Sequence, residues 1–405
     1  MKYVVILGDG MADFPVKELG DKTPLQYANT EYFDYFAKHG KVGMVKTVPT
    51  GMNPGSDTAN LAVFGYNPEV YYSGRSPYEA ASIGVPMCST DVTFRLNFVT
   101  ISEGEEYGDR VMLDHSSDEI TTAEAKLLLD SVREKFQSED IEFHAGISYR
   151  HIMLWHNAPY EFKLTPPHDI IGKNIGDYLP QGKESSRILD MMKASAEILK
   201  DHPVNLDRIK RGLKPANTIW IWGEGKAPQL SDFKEKYGLN GSVISAVDLI
   251  KGIGKCANMK NVEVEGVTGN VHTNFDGKAA ATIDELDNGA DFVYVHVEAP
   301  DEAGHRNELD NKVKSIELLD SKIAKFIKEE LDKRGEPYRI LVLPDHPTPL
   351  AIRTHTGDPV PFVIYDSTKD SNNADASYDE VYAASTGVYV KEGYKLMDLF
   401  IKGEF

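Results

Sequence analysis

Seven side chains able to bind a cation or attack phosphorus stand in five short stretches of this chain. The opening stretch VILGDGMADFP carries Asp9 between Gly8 and Gly10, directly after the apolar run YVVIL. Such a run reads as a central parallel strand whose carboxyl end delivers Asp9 to the sheet edge, where open α/β folds keep their ligands. A plain turn aspartate, capping the next segment, is the competing reading. In VEAPDEAGHRN, a helix starting near Asp301 sets His305 one turn later on the same face, so carboxylate and imidazole can share one ion. RILVLPDH ends in the adjacent Asp345 and His346, and RTHTGDPVPF places His355 before another strand. A lone histidine near a strand end is more often a hydrogen-bonded structural residue. Six metal-type ligands at predicted strand ends, however, are enough for two ions of the Mn²⁺, Mg²⁺ or Zn²⁺ type. The seventh residue, Ser56 in TGMNPGSDTANLAVFGY, opens an apolar helix at 60–64. As an N-cap it needs no catalytic role. Beside two cations the same hydroxyl would lose its proton readily and attack phosphorus, with the helix N-terminus helping to hold the phosphoryl oxygens. No GxxxxGK[ST] or GxGxxG phosphate loop competes for that role.

Positioning these side chains requires strands that end at one edge. Apolar runs at YVVIL, 43–48, 217–223, 242–247, 291–297, 339–345 and 361–366 alternate with helical patterns, the α/β signature. One such helix is read over 311–331, with Val313, Ile316, Leu319, Ile323 and Ile327 on one face. The stretch 91–201 has a different character and reads as an α+β unit of its own, flanked by plausible hinges at 74–86 and 201–217. The expected organisation is an α/β domain formed by 1–85 and 205–405, interrupted by an inserted domain at 86–204.

Composition bounds the function. At 405 residues the chain is too long for one typical core, which agrees with two domains. With 41% hydrophobic and 26% charged residues it reads as an ordinary soluble globular protein. A formal net charge of -19 argues against nucleic acid or an anionic membrane as partner, because phosphates would be repelled overall. A local basic pocket for a small phosphorylated metabolite remains compatible with it. Two cysteines, Cys88 and Cys256, fit a reducing cytosol and show no zinc-finger spacing. The apolar run 3–7 is shorter than a signal-peptide core and no stretch reaches membrane-spanning length, so a cytoplasmic protein is expected. No heptad or interface stripe speaks to oligomeric state.

The motifs GDGMAD at 8–13, NPGSDTANLAVFGYNP at 53–68, FRLNFVT at 94–100, APDEAGH at 299–305, LPDHPTP and THTGDPVPF, in this order, are specific. Over essentially its whole length the chain resembles the cofactor-independent phosphoglycerate mutases of the archaeal type, within the alkaline phosphatase superfamily. The resemblance implies an alkaline phosphatase-like three-layer domain with a mostly parallel sheet and an inserted α+β substrate-binding domain. It implies one metal ion on Asp301, His305 and His355, and a second on Asp9, Ser56, Asp345 and His346. Ser56 would take the phosphoryl group from a phosphoglycerate and return it to the neighbouring hydroxyl, interconverting 3- and 2-phosphoglycerate without bisphosphoglycerate. The inserted domain would hold the reorienting glycerate away from water. There, Arg95, Asn97, Asp109, Arg110, Arg150, His151 and His168 are candidates for binding carboxylate and phosphate and for moving protons. Lys251 and Lys278 could face phosphate from the main domain, although an ordinary surface lysine is the expectation for each.

Other fates of a phosphoserine define the alternatives. Some relatives with this motif set have been proposed to be homoserine kinases; that role needs an ATP-type donor, and no nucleotide loop is visible. A phosphomonoesterase is disfavoured because a large inserted domain looks like a device for excluding water. A non-enzymatic metabolite-binding regulator would leave seven chemically apt side chains unexplained. The ligand types suit several divalent ions and do not select one.

Overall fold

The structure, a computed structural model, describes residues 1–404 and divides the chain into two compact units: Met1–Tyr72 with the chain from Leu230 onward, and Ser73–Gln229. The first unit is built on an eight-stranded sheet. Across it the order is Lys260–Val262, Gly241–Ile244, Phe292–Val297, Lys2–Gly8, Tyr338–Leu343, Val360–Asp366, Lys41–Val45 and Tyr389–Val390. Val4, Val5, Ile6 and Leu7 are all fully buried, as a central strand covered on both faces requires. Phe292–Val297 and Tyr338–Leu343 flank that strand in parallel, with Gly8 opposite Val297 and Leu7 opposite Leu343. Their carboxyl ends therefore reach one edge together. Val360–Asp366 pairs antiparallel with both its neighbours, so the sheet is mixed but mostly parallel.

Alternation sorts the strand side chains between two helical layers. Val4, Ile6, Val293, Val295, Ile340 and Val342 pack with Phe33 and Phe36 of helix Glu31–His39, with Ile283 and Leu286 of Phe275–Asp287, and with Ile316, Ile323 and Ile327. On the opposite face Tyr294 stacks on Phe64 at 4.0 Å, Phe292 meets Phe233 at 4.7 Å and Tyr3 meets Phe400 at 5.6 Å. The helix expected over 311–331 is a continuous rod in three parts: Leu309–Leu318, a π-helical stretch Leu319–Ala324, and Lys325–Arg334. From the π stretch, Asp320 Oδ1 accepts the Tyr32 and Phe33 amides at 2.9 and 2.7 Å, capping helix Glu31–His39.

The second unit is α+β. Its long strand Val92–Ile101 lies between Arg150–Trp155 and Thr218–Lys226, with Ile141–His144 beyond Arg150–Trp155 and Met112–Asp114 on the strand's far end, all antiparallel. Phe94, Leu96 and Phe98 pack with Leu128 and Leu129 of helix Thr122–Phe136 and with Met192 and Leu199 of helix Ser185–Leu199. This unit extends past the expected 86–204 at both ends. Helix Ser76–Ser82 joins it, with Ser76 Oγ donating to the Thr93 carbonyl at 3.0 Å. The run at 217–223, read as one more strand of the α/β series, forms Thr218–Lys226 and pairs with Val92–Ile101. An apolar run does not state which sheet it will join. Among the described residues no helix is long and apolar enough to cross a membrane.

Candidate active site

All seven candidates of the first unit meet at the carboxyl edge of its sheet. Asp9 leaves the central strand with its amide on the Val297 carbonyl at 2.9 Å. Gly10 then turns at φ 59°, and its N–H donates to Asp345 Oδ1 at 3.1 Å. A Cβ on Gly10 would meet Asp301 Oδ1 at 2.6 Å and Asp301 Cα at 2.8 Å, so both the turn and the close approach need glycine. Asp301 and His305 lie one turn apart on helix Ala299–Arg306, with Asp301 Oδ2 3.3 Å from His305 Nε2. His355 Nε2 is 3.3 Å from Asp301 Oδ1 and 2.9 Å from His305 Nε2. Ser56 is the first residue of helix Ser56–Val63, whose N-cap is Gly55 without a side-chain cap, so the serine is not an N-cap. Its Oγ lies 3.2 Å from His346 Nε2.

Among the described residues, two groups have ligand atoms within 4.8 Å of one another: Asp9, Asp345 and His346; and Asp301, His346 and His355. His346 belongs to both, and His305 joins the second through its contacts with Asp301 and His355.

Hydrogen bonds fix which atoms are available to a ligand. The Thr348 hydroxyl donates its single hydrogen to Asp301 Oδ1 at 2.5 Å, so its oxygen accepts from His346 Nδ1, 3.3 Å away. His346 is thereby the Nδ1–H tautomer, and its bare Nε2 faces Ser56 Oγ. His305 donates from Nδ1 to the Arg353 carbonyl at 2.9 Å, which likewise turns Nε2 toward Asp301 and His355.

Asp9 Oδ2 is paired with His296 Nε2 at 2.9 Å, whereas Asp9 Oδ1 is buried without a hydrogen-bond partner. Burial, then the neighbouring Asp345 and Asp301 carboxylates, push the Asp9 carboxyl well above its ordinary range. Against its own burial, Asp301 is held well below that range by His305 and His355. Its hydrogen bond in turn raises His305. Burial lowers His346 and keeps it a neutral donor of electrons. Crowded carboxylates, an orphaned carboxylate oxygen, the bare Nε2 of His346 and the clustered His305 and His355 rings form a donor set that fits divalent cations.

Several buried polar residues escaped the sequence reading. Asn60 Nδ2 donates to Asp345 Oδ2 at 2.8 Å and to the Ser56 carbonyl at 2.9 Å, while the Tyr294 hydroxyl donates to Asn60 Oδ1 at 2.6 Å. Thr348 serves Asp301, and His296 serves Asp9. A polar residue inside an otherwise apolar run, as in TANLAVF or VYVHV, was the signal that could have exposed Asn60 and His296.

Of the two lysines, Lys251 Nζ is bound to both carboxylate oxygens of Glu263, at 3.0 and 2.9 Å. Lys278 is not a surface lysine: its fully buried Nζ donates to the His296 carbonyl at 2.6 Å, and burial pushes the ammonium down to about 8.

In the second unit, the structure gathers some candidates and separates others. Arg95 Nε binds Glu79 at 2.9 Å and its guanidinium lies 4.3 Å over the Trp222 ring. Trp222 Nε1 donates to Asn97 Oδ1 at 3.1 Å, and His168 meets the Trp222 ring edge-on at 5.3 Å. Arg150, exposed, stands opposite Asn97 in the sheet register. These four share one polar face with Arg75, which also binds Glu79, at 2.7 Å. His151 does not belong to that face. Adjacent strand residues point to opposite sides, so His151 faces the core beside Phe98 at 5.1 Å, its Nδ1 accepting from the Gly146 amide at 3.1 Å. Burial pushes its imidazole down to about 3. Asp109 and Arg110 sit in the turn beyond Ile101, roughly 20 Å along the strand from Arg95 at 3.3 Å per residue.

Known proteins are similar to this chain in sequence and fold. Residues 37–205 match the family model described as 2,3-bisphosphoglycerate-independent phosphoglycerate mutase. A protein of Geobacter sulfurreducens named probable 2,3-bisphosphoglycerate-independent phosphoglycerate mutase is 47% identical over 99% of this chain and 100% of its own. The Methanosarcina barkeri 2,3-bisphosphoglycerate-independent phosphoglycerate mutase is 47% identical over the full length of both chains. Among solved structures, a Pyrococcus horikoshii protein superposes with a TM-score of 0.81 at 28% identity, covering 99% of this chain and 96% of that one. The cofactor-independent phosphoglycerate mutase of Thermoplasma acidophilum gives 0.69 at 25% identity with both chains fully covered. On full-length identity at this level, the chain belongs to the 2,3-bisphosphoglycerate-independent phosphoglycerate mutase family.

Proposed function

We propose that this protein interconverts 3-phosphoglycerate and 2-phosphoglycerate by passing the phosphoryl group through Ser56 beside two divalent cations. The observation that carries the reading is Ser56 Oγ, free of any capping duty, 3.2 Å from the bare Nε2 of His346. Asp301, His305 and His355 would hold one ion, and Asp9, Ser56, Asp345 and His346 the other. When bound, the cations would supply Lewis acidity, lowering the cost of ionising the serine and of gathering phosphoryl oxygens. Ser56 Oγ loses its proton and bonds to phosphorus as the bond to the glycerate 3-oxygen breaks, and that oxygen takes a proton in return. The second half runs the same exchange from the glycerate 2-hydroxyl. Asn60 keeps the serine's helical turn and Asp345 in one frame throughout. In the second unit, we assign the glycerate carboxylate to the face carrying Arg95, Asn97, Arg150 and His168, where the guanidinium groups suit bidentate carboxylate binding. His151, Asp109 and Arg110 lie off that face and have no part in this assignment.

The test is phosphorus NMR of Mn²⁺-loaded protein with 3-phosphoglycerate and no bisphosphoglycerate. A growing 2-phosphoglycerate signal is expected. Inorganic phosphate instead would mark a phosphomonoesterase, and phosphohomoserine formed only from homoserine with ATP would mark a kinase; either overturns the reading.

A further inference from the structure

We infer that His296 is a positioning residue for Asp9, holding one carboxylate oxygen so that the other is left for a cation. The inference rests on the two-ion reading above. His296 is fully buried in strand Phe292–Val297, directly opposite Leu7 in the register. An imidazole in that position is costly unless both nitrogens are paired, and here both are. Ser245 Oγ accepts the Val247 amide at 2.9 Å and has its own hydrogen free for His296 Nδ1, 3.2 Å away. Asp9 Oδ2, a carboxylate oxygen, only accepts, so the ring proton sits on Nε2, which donates to it at 2.9 Å, and Nδ1 accepts from Ser245. Lys278 Nζ, on the His296 carbonyl at 2.6 Å, pins the backbone beneath the ring.

This relay, from the Val247 amide through Ser245 and His296, ends on one oxygen of Asp9. The other, Oδ1, is buried, unpartnered and 3.7 Å from His346 Nε2. A carboxylate free to rotate could offer either oxygen or both; this one offers a single oxygen in a set direction. Asp345 and Asp301 are held by Asn60 and Thr348 in the same manner, and Asn60, like His296, is itself held by a further side chain, the Tyr294 hydroxyl.

The experiment compares full-length wild type with His296→Leu, His296→Gln and Ser245→Ala, each stripped of metal, by calorimetric titration with Mn²⁺. Wild type should take two ions. His296→Leu should weaken one ion by 10- to 100-fold and leave the other as in wild type. His296→Gln, which restores an N–H near the Nε2 position, should recover most of the loss, and Ser245→Ala should weaken the same ion several-fold. If His296→Leu fails to fold by circular dichroism, Ser245→Ala against wild type decides. Two unchanged affinities would overturn the role of His296, as would equal weakening of both ions, the mark of mere packing. Wild type binding no Mn²⁺ would overturn the two-ion reading itself, and this inference with it.

Discussion

At the scale of single hydrogens, the proposed chemistry rests on Ser56 and its alignment on Thr348. Ser56→Ala removes the proposed nucleophile while leaving the six other candidate ligands in place. Turnover should fall on the order of 10³-fold or more with bound Mn²⁺ nearly intact, read by a coupled assay and by metal analysis of the same sample. Thr348 has one hydrogen and one accepting oxygen in use, on Asp301 and His346. Thr348→Val keeps the shape but strands both partners, and should cost about 1–3 kcal/mol of unfolding free energy in urea, with Thr348→Ser restoring most of it. At this scale the cluster was legible because six metal-type side chains at predicted strand ends on one sheet edge are more than structural pairing calls for, and the structure brings them together with Ser56. Asn60, His296 and Thr348 were not legible. Each pairs with a residue far away in the chain, a relation that local periodicity does not record.

Elements deliver those residues, and here the sequence pattern was informative about type but not about partnership. The run YVVIL forms the central strand it resembles, and Asp301 and His305 share a helix face as their spacing implies. Arg150 and His151 show the limit: both were grouped as ligand candidates, yet strand alternation sends one to a polar face and the other into the core. The helical rod beneath the sheet makes a separate prediction. Burial raises the Asp320 carboxyl to about 7, above its ordinary 3.8. The folded state therefore holds a proton that the unfolded chain releases between these values, so this group's contribution to stability declines as pH rises from about 4 to 7. The shift corresponds to at most about 4 kcal/mol. Asp320→Asn keeps the oxygen that caps helix Glu31–His39 and removes the titration. Its stability relative to wild type should rise between pH 5 and pH 8 in urea unfolding; a pH-independent difference would contradict the shift.

The whole molecule consists of two units with their own cores, and the chain crosses between them near residues 72 and 230. That an α+β segment interrupts an α/β one was legible from the change in character after residue 91. The junctions were not, because helix Ser76–Ser82 and strand Thr218–Lys226 have no composition that distinguishes their sheet from the other. A two-ion site also makes a prediction for the intact protein. Dialysis against a chelator should abolish mutase turnover, and Mn²⁺ should restore it without bisphosphoglycerate, followed by phosphorus NMR.

The central claim is that the phosphoryl group rests on Ser56 between its two glycerate positions. Rapid quenching of Mn²⁺-loaded protein during turnover with 3-phosphoglycerate, followed by peptide mass spectrometry, tests it directly. A phosphoryl group on Ser56 that appears with substrate and disappears as substrate is removed is the predicted result. Phosphate on another side chain, or full turnover with Ser56 replaced by alanine, would contradict the account.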